Sequence, residues 1–130
     1  MPDSERGHEH PVDPARVQVA RARLIGMEDA GRLAGVLGLI ADPVRSRILF
    51  ALADVEELCV GDLALALEVK EDSISYGLRL LRTAGLVRFR REGRVIYYSL
   101  AEGFPRRLLQ HCLNDLLGIE QEGRSGDGSS

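Results

Sequence analysis

Arginine is the residue type whose placement in this chain carries the most chemistry. From Ser73 to Arg94 the sequence holds Arg79, Arg82, Arg88, Arg90, Arg91 and Arg94 against one acid, Glu92, although over all 130 residues acids outnumber bases by 20 to 17. The net charge of −3 therefore hides a local cationic surface. Permanently charged, forked guanidinium groups suit phosphate oxygens, and neutralising phosphates releases counterions from nucleic acid. The plainer reading of such a run is a solvated charged face; against it stands the coincidence of the arginines with a helix pair and a hairpin. Metal-ligating types are sparse: Cys59, Cys112, His8, His10 and His111. Two cysteines without a C-x-x-C pair make neither a disulfide scaffold nor a zinc ribbon, so both thiols are expected to be reduced. There is no Gly-rich phosphate loop, nucleophile elbow or H-E-x-x-H motif, and two of the three histidines lie near the start, which leaves little for acid–base catalysis and excludes an enzyme.

The elements that must hold these groups follow from periodicity. Leu33, Val36, Leu37 and Ile40 form the stripe of an amphipathic helix. Asp42 suits a helix N-cap and Pro43 the first helical position, and Val44, Ile48, Leu49 and Leu52 continue one face to about Ala53. Asp62 to Leu67 reads as a short helix, Glu68 to Glu71 as a polar link, and Asp72 as the N-cap of a helix from Ser73 to Ala84 with Ile74, Leu78 and Leu81 facing inward. Gly85 fits the position just past its end. Leu86 to Arg90 alternates apolar and basic residues, Arg91-Glu92-Gly93 makes a turn, and Arg94 to Leu100 is rich in β-branched and aromatic residues, which together predict a β-hairpin. Phe104-Pro105 opens a last helix to about Leu117, with Leu109, Cys112, Leu113 and Leu116 at helical spacing.

Residues 1–14 carry no apolar period and are expected to be a flexible arm; residues 118–130 are expected to be a disordered tail, leaving 15–117 as one folded body. A body of this size leaves much of its surface wet and gains burial by pairing with a second copy. No apolar run is long enough to span a bilayer and the start is acidic where a signal peptide is basic, so the expectation is a soluble, cytoplasmic protein without membrane contact. The predicted fold class is α+β, mostly helical: a winged helix-turn-helix in the order α-α-α-α-β-β-α, as a homodimer. In such a fold the second helix of the pair enters the major groove of a double-stranded DNA operator and the hairpin lies along the backbone or minor groove. That assigns Ser73, Ser75, Tyr76, Arg79 and Arg82 on the helix, and Arg88, Arg90, Arg91 and Arg94 on and around the hairpin, to DNA binding.

The stretches Glu57-Leu-Cys-Val-Gly-Asp-Leu-Ala64, Ser73-Ile-Ser75, Leu78-Arg-Leu-Leu-Arg82, Gly85-Leu-Val87 and Arg90-Arg-Glu-Gly-Arg-Val-Ile-Tyr-Tyr-Ser-Leu100, with Ala41-Asp-Pro-Val-Arg45 before them, resemble the ArsR/SmtB family of metal-responsive repressors. The resemblance covers about Leu33 to Leu117. It implies a homodimeric winged helix whose outer helices form the dimer interface and which leaves its operator when an inducer binds. The family's zinc site on the last helix matches Glu102, Phe104, Asp115 and Gly118 here, so both of its histidines are replaced. Two carboxylates without imidazole or thiolate make a poor site for zinc, nickel or cobalt.

Several alternatives stay open. By the resemblance, Cys59 and Asp62 join ligands from the partner's N-terminal arm, which His8 and His10 would supply; the bland alternatives are a solvated arm and a packed thiol. His111 and Asp115 stand one helical turn apart, with Glu102 nearby or across the dimer, and Cys112 either joins them or simply packs. A thiol switch is the third, although Glu56 and Glu57 beside Cys59 disfavour its thiolate. The fourth is a regulator with another ligand or none. Relatives often carry His-Gln in the middle of the recognition helix where this chain has Tyr76-Gly77, so base reading is expected to shift to Ser75, Tyr76 and Arg79 and the operator to differ.

Overall fold

The computed structural model describes residues 11–118, which divide into two compact units at Gly35/Val36. The first unit holds α1 (Pro14–Ala22) and the start of α2 (Met27–Ile40). Sequence periodicity does not reveal α1: its nine residues bury no side chain, so there is no inward stripe to read. What starts it is local, an Asp13 carboxylate accepting the Arg16 N–H at 3.1 Å ahead of Pro14. The stripe expected on α2 forms a helix, yet Leu33 and Leu37 remain 52% and 43% exposed.

The second unit contains the end of α2, then α3 (Pro43–Asp54), β1 (Leu58–Cys59), α4 (Val60–Leu67), α5 (Glu71–Thr83), β2 (Val87–Glu92), β3 (Val95–Leu100) and α6 (Arg106–His111), whose last turn, Cys112–Leu116, widens into a π-helix. Asp42 caps α3 as expected, its carboxylate accepting the Arg45 N–H at 3.0 Å. Asp72 does not cap α5. The cap position falls on Lys70, without a side-chain bond, and Glu71 and Asp72 occupy the first turn, where carboxylates complement the positive end of the helix. At the other end, Gly85 N–H reaches the Arg82 carbonyl at 2.9 Å and Leu86 N–H the Leu81 carbonyl at 2.9 Å, closing α5 in the Schellman pattern.

Ile48, Leu49 and Leu52 of α3, Leu63 and Leu67 of α4, Ile74, Leu78 and Leu81 of α5, and Val87, Leu100, Phe104 and Leu109 form one buried cluster. Full burial of an aliphatic side chain contributes about 1.5–3 kcal/mol. This cluster clamps the α4–α5 pair onto α3 and anchors the base of the hairpin.

The sheet is antiparallel in the order β1-β3-β2, with Leu58 opposite Tyr98 and Cys59 opposite Tyr97. Sequence reading misses β1 because two residues cannot show a period. In the hairpin, Glu92 pairs with Val95, so the turn is Gly93-Arg94, and Arg91 and Glu92, expected in the turn, belong to β2. Since paired residues share a face, Phe89, Arg91, Ile96 and Tyr98 point to one side and Arg88, Arg90, Tyr97, Ser99 and Cys59 to the other. The architecture is a mostly helical winged helix-turn-helix, extended beyond expectation by α1 and β1.

Candidate nucleic-acid interface

Between α5 and the inner face of the hairpin runs an open groove of about 330 Å³, lined by Ser75, Arg79, Arg82, Phe89, Arg91, Ile96 and Tyr98. Its walls carry arginines from both elements and no carboxylate. Helical spacing explains the α5 side: Ile74, Gly77, Leu78 and Leu81 are buried, which turns Ser75, Arg79 and Arg82 outward. Strand alternation explains the wing side, since Phe89 and Arg91 are two apart.

The aromatic rings hold the guanidinium groups in place. Arg82 lies over the Phe89 ring at 4.8 Å, and Phe89 meets Tyr98 at 6.0 Å between centroids. Arg79 lies over Tyr76 at 5.4 Å, and Tyr76 is 54% exposed on α5. Cation–π contacts of this kind order long side chains while leaving their N–H donors facing solvent. Sequence reasoning does not single out Phe89, Ile96 or Tyr98; the available signal is the apolar residue alternating with arginine in β2.

The expected DNA-binding residues therefore divide. Ser75, Arg79, Arg82 and Arg91 share the groove. Ser73 and Tyr76 are exposed on α5, and Arg94 is exposed in the hairpin turn. Arg88 and Arg90 are on the far face of the wing. Arg88 Nε donates to Ser99 Oγ at 3.2 Å. Arg90 meets both Glu57 oxygens, from Nε at 2.9 and 3.1 Å and from Nη2 at 2.6 Å, reaches Glu92 from Nη1 at 2.7 Å, and covers the Tyr97 ring at 4.6 Å. Those hydrogen bonds from Arg90 hold the Glu57 carboxyl below its ordinary range, and in return raise the Arg90 pKa further. The Arg90 charge is thus answered by two carboxylates.

Of the proposed metal ligands, the structure pairs His111 with Asp115. His111 Nδ1 stands 3.3 Å from Asp115 Oδ2, both side chains about 70% exposed. Glu102 is exposed and does not complete that pair: among the described residues no group of three or more His, Cys, Asp or Glu side chains is placed to hold a metal. Cys59 is half-buried, Asp62 is exposed, and His8 and His10 lie outside the described residues. Cys112 is half-buried while Leu109 is buried and Leu116 is 78% exposed. A metal site held wholly by the described part of one chain does not fit these residues. Among the described residues, no helix is long and apolar enough to cross a membrane.

Comparisons with known proteins agree with this geometry. Residues 42–88, which carry α3, α4, α5 and the start of the wing, match the model of the bacterial regulatory protein, arsR family. The "Transcriptional repressor SmtB homolog" of Synechocystis sp. is 39% identical over 101 residues, which is 78% of this chain and 76% of that one. Among solved structures, the AntR antimony-specific transcriptional repressor superposes with a TM-score of 0.68 at 28% identity, covering 84% of this chain and 96% of that one. A homodimeric winged helix-turn-helix DNA-binding domain from Mycobacterium bovis gives 0.59 at 28% identity, covering 82% and 98%. The chain belongs to the ArsR family of winged-helix transcriptional regulators, which act by binding DNA and are not enzymes.

Proposed function

We propose that this protein is a homodimeric repressor that binds an imperfect palindrome, each protomer placing α5 in a major groove and its hairpin along the adjacent backbone, and that a metal ion tunes this affinity. The observation that carries the reading is the groove shared by Ser75, Arg79, Arg82 and Arg91, cationic on both walls and free of carboxylates. The arginines supply phosphate contacts, and Ser75, Tyr76 and Arg79 supply base contacts. In this reading the protein works in the cytoplasm, where a bacterial regulator meets its DNA. Dimerisation fits Leu33 and Leu37, left half-exposed by a single chain, and the homodimer described for the Mycobacterium bovis relative. In this reading residues 15–117 are the DNA-binding and dimerisation body, flanked by an arm (1–14) and a tail (118–130).

The metal response is supported by the antimony-specific relative and by the His111–Asp115 pair. Because no group of three or more ligands is assembled within the described residues, the missing ligands come from elsewhere: His8 and His10 of the arm joining Cys59 and Asp62, or a second copy joining His111, Asp115 and Glu102. A metal alters DNA affinity only by binding the DNA-incompetent dimer more tightly than the competent one.

The test is to titrate the metal-free, reduced protein onto a labelled fragment of its own promoter by fluorescence anisotropy, then add Zn(II), Ni(II), Co(II) or Cd(II) at fixed salt. Salt-dependent binding released by one metal and restored by chelator supports the full reading. Tight binding that no metal moves leaves a thiol-responsive, otherwise liganded or constitutive regulator, and absence of salt-dependent binding overturns the DNA reading itself.

A further inference from the structure

Arg45 sits one turn into α3 and is half-buried. Its Nε–H donates to the Leu39 carbonyl at 2.6 Å, one of the C-terminal carbonyls of α2 that the helix itself cannot satisfy. The side chain is drawn to this helix end, whose carbonyls carry the negative pole of α2. Its stem meets the middle of α5: a Cβ added at Gly77 would stand 3.3 Å from Arg45 Cγ and 3.2 Å from Ile48 Cδ1. The absence of a side chain at Gly77 is what lets α5 settle this closely onto α3. Tyr76, next to Gly77, is exposed on α5.

We propose that Arg45 is a positioning residue for base reading: it joins the end of α2 to the middle of α5 and so fixes the height and tilt at which Ser75, Tyr76 and Arg79 are presented. The inference rests on α5 being the helix that reads DNA. Arg45 itself touches no DNA in this arrangement. Its effect is on sequence discrimination, because base contacts demand the helix within a fraction of an ångström whereas phosphate contacts from flexible arginines tolerate small shifts.

The test uses the full chain with Arg45→Met, which keeps an unbranched stem and deletes the donor, and Gly77→Ala, which inserts one methyl group at the contact. Affinity is measured for the promoter fragment and for a scrambled duplex of equal length across a salt series, with urea unfolding alongside. The expected result is that both variants fold cooperatively, bind the promoter fragment about tenfold more weakly, and keep the affinity for scrambled DNA and the salt slope. An unchanged ratio of specific to non-specific affinity in both variants overturns the proposal. So does an Arg45→Met variant that weakens both duplexes equally and shortens the salt slope by about one phosphate, since Arg45 would then touch DNA directly. If Arg45→Met does not fold, Arg45→Lys and Gly77→Ala are judged by the same ratio. A wild type that shows no salt-dependent binding overturns the DNA reading, a result distinct from any of these.

Discussion

Arg90 and Glu57, 33 residues apart in sequence, form a two-point ion pair on the outer face of the wing, with Arg90 Nη2 2.6 Å and Nε 2.9 Å from the carboxylate. Forked geometry makes this the directional kind of ion pair. It ties β2 to the segment that leads into β1, two residues before Cys59, and sets a carboxylate against a charge that the sequence assigns to DNA binding.

The pair gives a pH dependence of definite sign. Arg90 holds the Glu57 pKa below its ordinary 4.5, so the contribution to stability is present in full above that value and is lost as pH falls through the lower folded value. Glu57→Gln should therefore lower the urea midpoint slightly at neutral pH and converge on the wild type in acid. The effect is small because both side chains are partly solvated. A gap that widens in acid contradicts the assignment.

The wing arginines should differ in their effect on salt dependence. Arg91→Ala and Arg94→Ala are each expected to weaken binding to every sequence and to flatten the slope of log affinity against log salt by about 0.9 for each phosphate no longer neutralised. Arg90→Ala should change the slope less, because Glu57 and Glu92 already answer its charge. Equal slopes for the three variants would show that DNA strips Arg90 from its carboxylates.

Base reading should concentrate on α5. Ser75→Ala and Arg79→Ala are expected to cost about 1–3 kcal/mol on the preferred site and far less on scrambled DNA. Tyr76→Ala should act in the same direction by releasing the Arg79 guanidinium that stacks on its ring. A competition titration with point-mutated operators locates the base pair each residue reads; weakening spread evenly over all sequences is the contrary result.

Leu81 is fully buried where α5 turns towards the wing. Leu81→Ala should cost about 2–5 kcal/mol through reduced burial and the cavity left behind. Urea unfolding measures this, and a cost below that range would mean that the site collapses around the missing methyl groups.

The metal models separate by variant. Cys59→Ala, or His8→Ala with His10→Ala, should abolish or weaken metal binding if the arm completes the site, while His111→Ala leaves it intact. The reverse pattern assigns the metal to the last helix. Isothermal titration with each metal reads both, and unchanged affinity in all three variants removes both models.

Local rules determined much of this protein from sequence. Asp42 and Pro43 start α3, Gly85 ends α5, and the spacing of Ile74, Leu78 and Leu81 fixes which side of α5 is buried, because caps and periods act within a turn or two of chain. The arginine run and the hairpin are legible for the same reason. Tertiary structure alone decided which arginines share a surface: strand register sends Arg91 into the groove and Arg90 out to Glu57, although the two are adjacent. It also decided that Cys59 joins a strand, since a two-residue strand exists only through its pairing with Tyr97 and Tyr98. Gly77, in sequence merely a weak helix former, proves to be the point where α5 rests on Arg45 and Ile48. Such pairings depend on groups far apart along the chain meeting in space, and no local period or cap encodes that meeting.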